Sequence, residues 1–167
     1  EAGYCLCIDP PALSSAGAEY ESGSFGNTDH TARCINLRGT EDPQRLALVI
    51  AHELTHVSQF VRGGLDIHVS RLHPLAAIRQ LLAMEGDARA HEFRVAVELS
   101  RALKDEPAER LVFPELLDIA AETIGASMTK RVIELAKPAL EGGAAPDEWM
   151  ARIFKSFYAS PALREHY

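Results

Sequence analysis

The chain has 167 residues, 47% of them hydrophobic and 25% charged, with a net charge of −7, the make-up of one globular domain long enough to bury a core. Acidic and basic residues are interspersed and the balance is acidic, which argues against non-specific nucleic-acid binding, since that needs a basic surface. No apolar run approaches the roughly 18 residues of a membrane span. The opening EAGYCLCIDPP lacks the basic start and apolar core of a secretory signal, which by itself says little about compartment; a cytoplasmic placement is favoured, with periplasmic or secreted placement open for a processed fragment.

Residues 1–40 are rich in Gly, Ser and Thr and hold short β-leaning runs. YCLCI at 4–8 alternates as a strand does, AEYES at 18–22 is a weaker candidate, and TARCINLR at 31–38 is a third, set between turn-like GNTDH and RGTEDP. A small antiparallel sheet is expected here, with a meander as one arrangement. The three cysteines, Cys5, Cys7 and Cys34, are too few and odd in number for a disulfide framework. Cys5-x-Cys7 is compatible with metal binding or with a bond to Cys34, but all three read first as small apolar residues on strands.

From residue 42 the pattern turns helical. Asp42 suits an N-cap and Pro43 a first helical position. Leu46, Val49, Ile50, Leu54, Val57 and Val61 then recur at helical spacing until Gly63-Gly64 stops the helix. Pro74 opens a second helix, expected to run to about residue 104. Pro114 opens a third helical region, PDEWMARIFKSFY near the C-terminus reads as a last helix, and SPALREHY as a short terminal turn or helix. The fold class expected is α+β: a single helix-rich domain over 1–167, with a sheet in 1–40, one helix at 42–62, another at 74–104 and a helical part at 105–167.

Within the first helix, residues 50–60 read IAHELTHVSQF, so His52, Glu53 and His56 spell H-E-x-x-H. Residues four apart on a helix lie one turn apart on nearly the same face, so both imidazoles can address one point. A Zn2+ ion with nitrogen ligands at roughly 2.0–2.1 Å suits that spacing. Glu53 sits about 100° further round the helix, placed to take a proton from a water activated at the metal. The longer H-E-x-x-H-x-x-G-x-x-H pattern is not followed, because residues 59 and 62 are Gln and Arg, so a third ligand must come from elsewhere.

LLAMEGDARAHEFRVA at 81–96 offers one. Glu85 interrupts an apolar face that it shares with Ile78 and Leu82, and a buried acid is costly unless paired or coordinated. Gly86, Ala88 and Ala90 are small and would let a neighbouring helix come close. The other reading of Glu85 is an ion pair with Arg89 at i+4. Asp87 and His91 are either partners that orient the histidines or polar residues of a surface.

AHELTH followed some thirty residues later by MEGDARAHEF resembles the gluzincin group of zincin metallopeptidases, in which the third zinc ligand is a Glu on a later helix. The closer resemblance is to small bacterial metallopeptidase-like domains of unknown function, with an H-E-L-T-H helix and a downstream E-x-D-A segment. It implies His52, His56 and Glu85 as metal ligands, Glu53 as the catalytic base, Zn2+ as cofactor and a peptide or protein as substrate. Many gluzincins place an Asp four residues after the ligand Glu to hold a histidine; here that position is Arg89, and the acid is Asp87.

Tyr158, His166, Tyr167, His73, His68 and Arg89 are all open as donors to an oxyanion. Trp149, Phe154, Phe157 and Tyr158 recur at helical spacing and read as core. The enzyme expected is a zinc metallopeptidase. The alternative is a non-catalytic binding or regulatory module with a structural metal site, for which an acid at position 53 would serve no purpose.

Overall fold

In a computed structural model, residues 3–9, 26–38, 43–62, 72–103, 134–135, 137–138 and 145–159 are described. They form strands β1 (Cys5–Asp9), β2 (Gly26–Asp29) and β3 (Cys34–Arg38), then helices α1 (Pro43–Val61), α2 (Pro74–Leu103) and α3 (Pro146–Tyr158). The class is α+β, with a small sheet before a helical body.

The sheet order is β1-β3-β2. β3 pairs in parallel with β1, Cys5 facing Cys34, and antiparallel with β2, Thr28 facing Ile35. The sheet is therefore mixed, where an antiparallel one was expected. The cause is the connection on each side. β2 and β3 are joined by a tight turn, in which Asp29 Oδ1 accepts the Thr31 and Ala32 N–H groups at 2.8 Å each and Arg33 takes a φ of 52°. A link that short permits only antiparallel pairing, whereas β1, separated from β2 by residues 10–25, has the chain length that a parallel pairing requires. The stretch GNTDH, expected as a turn, supplies β2 itself, and the turn starts at His30. The candidate strand at 18–22 lies outside the described residues.

Alternation along β3 gives its two faces different neighbours. Ile35 and Leu37 are buried with Val49 of α1. Cys34 and Asn36 point the other way, on the face that carries Cys5 and Cys7. There the neighbouring thiols of Cys5 and then Cys7 push the Cys34 thiol up to about 12.

α2 packs against both α1 and α3. Their shared core is Leu48, Leu82, Ala90, Phe93, Ala96, Val97, Trp149, Ile153 and Phe157. Gly86 of α2 lies against α3 so closely that a methyl there would sit 3.2 Å from the Phe154 ring and 3.4 Å from its carbonyl oxygen. Ala88 and Ala90 are buried on the same helix. On α1 the apolar pattern is only partly inward: Leu54 and Val61 are exposed, while Leu48 and Val49 are buried. The inward positions that a simple core helix would give to leucine are held instead by His52, Glu53 and Gln59, all buried. Of the third helical region expected between α2 and α3, residues 134–135 and 137–138 are helical; the remainder, like SPALREHY, lies outside the described residues.

Candidate metal centre

One turn of α1 carries His52, Glu53 and His56, and α2 lies across it. The Nε2 atoms of His52 and His56 stand 3.1 Å apart. The Glu85 carboxylate reaches both, Oε2 at 3.5 Å from His52 Nε2 and Oε1 at 3.4 Å from His56 Nε2. The ligand-type atoms of these three residues lie within 4.8 Å of one another.

The far side of each ring is also held. His52 Nδ1 is 3.1 Å from Glu92 Oε2, an acceptor, so Nδ1 donates. Arg89 donates to the same Glu92 oxygen at 2.7 Å. His56 Nδ1 donates to Gln59 Oε1 at 3.0 Å. Gln59 is fixed in turn by giving its amide protons to Met84 O at 3.1 Å and Asp87 Oδ2 at 2.9 Å. With both Nδ1 atoms protonated, a neutral ring at either position turns its Nε2 lone pair inward. Two nitrogen lone pairs and a carboxylate then face one point, an arrangement that repels itself unless a positive charge lies between them.

The electrostatics point the same way. Burial and the Arg89 charge press His52 towards its neutral form, yet the Glu85 and Glu92 carboxylates outweigh them and hold its pKa up at about 9. Burial works against ionised Glu85, but the two imidazoles bring its pKa well below the usual carboxylate range. Glu92, fully enclosed, is likewise kept ionised against burial by Arg89 and His52. The carboxylates thus favour positive charge at the middle of the cluster, which either a proton on His52 or a metal ion can supply. Two imidazoles and a carboxylate on rigid helices are a donor set that suits Zn2+.

Glu53 lies on the sheet side of α1, and β2 sets its position. Thr28 Oγ1 donates to Glu53 Oε2 at 2.7 Å and approaches Glu53 O at 3.3 Å. Two residues before Thr28, and so on the same strand face, Gly26 has no room for a side chain: a Cβ there would lie 2.9 Å from Val49 Cγ1, 3.1 Å from Leu37 Cδ2 and 3.2 Å from Glu53 Cγ. Two residues after Thr28, His30 stacks on Phe60 with ring centroids 4.4 Å apart, and its Nδ1 is 2.9 Å from the Tyr4 hydroxyl. Burial, followed by the His56 ring, lowers the His30 pKa, against the opposing pull of Asp29 and Glu53.

The structure therefore gathers His52, His56 and Glu85 at one point, while Glu53, on the same turn of α1, faces the sheet and Thr28. Asp87 touches the centre only through Gln59; His91 sits 3.8 Å from Asp87 on a half-exposed part of α2. Arg89 is ion-paired with Glu92 at 2.7 Å. Sequence reasoning missed Glu92, Thr28 and His30. Glu92 follows Glu85 by seven residues, two helical turns on the same face, and that spacing was the available signal. Thr28 and His30 lay in a stretch read as a turn. Of the residues considered as oxyanion donors, Tyr158 stacks on Phe154 with ring centroids 5.8 Å apart, and exposed His73 lies at the start of α2. His68, His166 and Tyr167 lie outside the described residues.

A helix-borne H-E-x-x-H whose rings meet a carboxylate of the next helix, beside a small sheet, defines a candidate metal-binding domain. The chain belongs to the Putative metallopeptidase family (DUF6782), whose model matches residues 17–167 and so takes in both helices of the centre. No curated protein and no solved structure matches it.

Proposed function

We propose that the chain is a zinc-dependent peptidase of the gluzincin kind, with His52, His56 and Glu85 as metal ligands and Glu53 as general base. The observation that supports this best is the convergence of three electron-pair donors on one point while both outer ring nitrogens are occupied. Zinc bound there would supply Lewis acidity, lowering the pKa of water and polarising a substrate carbonyl.

The protein's own groups do the rest. Glu92 and Gln59 fix the tilt and tautomer of the two histidines. Thr28 occupies Glu53 Oε2, which leaves Oε1 to accept a proton from the attacking water and pass it to the departing amine. Substrate alignment falls to β2. β3, the strand that precedes α1 in the chain, is central and paired on both sides. β2 is the outer strand on the α1 side among the described residues, and its Thr28 already touches the base. A peptide added there would run beside Glu53.

A structural metal site would use a closed set of four protein ligands. Among the described residues only three converge at this centre, and Asp87 is committed to Gln59, which favours a coordination position left to solvent. Metal analysis of protein purified without chelator should find zinc bound through this centre, with the stoichiometry falling in His52→Ala. Digestion of a peptide library should show cleavage that Glu53→Gln abolishes while the zinc is retained. Hydrolysis that survives Glu53→Gln would rule out the assigned base.

A further inference from the structure

The three cysteines lie on the sheet face turned away from α1, so they belong to a place separate from the His52, His56 and Glu85 centre. Cys5 and Cys7 are two apart on β1 and share a face. The parallel register sets Cys5 directly beside Cys34 of β3 and Cys7 beside Asn36. Their sulfur atoms all lie within 4.8 Å of one another. Cys34 is buried, while Cys5 and Cys7 are open to solvent. The Cys5 thiol leans on a weak contact at 3.4 Å to the Arg33 carbonyl.

We propose that Cys5, Cys7 and Cys34 form a second metal site, a three-thiolate cradle for a thiophilic d10 cation of the zinc class, with solvent completing the coordination. Two sulfurs bound to one tetrahedral ion at about 2.3 Å each stand roughly 3.8 Å apart, so each pair of thiols reaches that separation by side-chain adjustment alone. A disulfide accounts for the arrangement less well. It would use two of the three sulfurs, and side chains projecting in parallel from one sheet face do not aim at each other as a disulfide requires. A cation uses all three and draws on their common direction. Its effect is mechanical: β1 joins the sheet through β3, so the ion would fasten the outer strand to the centre. Tyr4, which immediately precedes β1 and contacts His30, would be fastened with it.

The test is a titration of the reduced, metal-free full chain with Cd2+, followed by the sulfur-to-cadmium charge-transfer band in the ultraviolet. The histidine centre holds no thiolate and contributes nothing to that band. The band should saturate at one ion per chain in the monomer and persist in His52→Ala. Its midpoint should shift at least tenfold to higher Cd2+ in Cys34→Ser and in Cys7→Ala. Cys7 is exposed, so that variant keeps the test valid if Cys34→Ser fails to fold. No band at equimolar Cd2+, a band unchanged in Cys7→Ala, or a band that appears only with association of two chains would each overturn the site. None of these outcomes bears on the proposed peptidase, which rests on other residues.

Discussion

At the scale of single residues, the groups that touch the centre divide into those that face its middle and those that hold the facing groups still. Glu92 belongs to the second set, and its ring contact is charge-assisted and buried. Glu92→Gln keeps the shape but loses the charge that favours the Nδ1–H tautomer of His52. Zinc affinity should fall by about 10–100-fold, read by competition with a chromogenic chelator; an unchanged affinity would mean that His52 needs no such partner. Thr28→Val should leave the metal in place and free Glu53 Oε2, lowering kcat by about tenfold, the loss of one hydrogen bond to a charged group. His52, Glu53 and His56 could be marked from sequence because helical spacing relates them within one turn, and Glu85 because an acid there interrupts the apolar face of its helix. Thr28 could not, because it lies in a stretch that reads as a turn and acts on a group 25 residues away, and Glu92, whose partner is 40 residues away, was signalled only by its spacing of seven from Glu85.

At the scale of elements, the described helices and the strands β1 and β3 were legible, whereas β2 and the mixed pairing were not. α1, α2 and α3 begin at Pro43, Pro74 and Pro146, as proline at a first helical position announces. β2 has the composition of a turn, GNTD, and is a strand because β3 pairs with it and α1 lies beneath it. Gly26 follows from that closeness. Gly26→Ala sets a methyl 2.9 Å from Val49 Cγ1, on a β-branched side chain with little freedom to turn aside. It should cost about 1–3 kcal/mol in denaturant unfolding. Through the neighbouring contact with Glu53 it should also lower kcat without lowering zinc content. Full activity at reduced stability would show that β2 packs on α1 without positioning the base. Gly86→Ala is the milder case: a methyl there meets Phe154 at 3.2 Å, and the helical preference of Ala over Gly, about 0.8–1.0 kcal/mol, offsets part of the crowding. The inward turn of His52, Glu53 and Gln59 also explains why apolar periodicity overestimated how many leucines and valines of α1 are buried. A helix that serves a centre gives part of its inner face to polar groups, and periodicity alone does not distinguish that face from core.

At the scale of the molecule, the ligands of the centre come from two helices that the chain joins only through residues 62–73. A bound ion is therefore a cross-link between α1 and α2, whereas the apolar core draws mainly on α2 and α3, with Leu48 as the α1 contribution. Metal removal should act on the α1–α2 contact first. An ion that binds only the folded chain stabilises it by RT ln(1 + [L]/Kd), about 2.7 kcal/mol at a hundredfold excess of free zinc over Kd. For a chain of this size that corresponds to a rise in Tm of roughly 5–11 °C. Chelator should lower Tm by that amount and added zinc restore it. The cysteine cradle could contribute a zinc-dependent shift of its own, so the decisive comparison is with Glu85→Ala, which leaves the three thiols untouched. If most of the shift disappears in that variant, the link between helices is the source; a shift of the same size in Glu85→Ala would remove Glu85 from the ligand set and with it the reading of α2 as the helix that completes the centre.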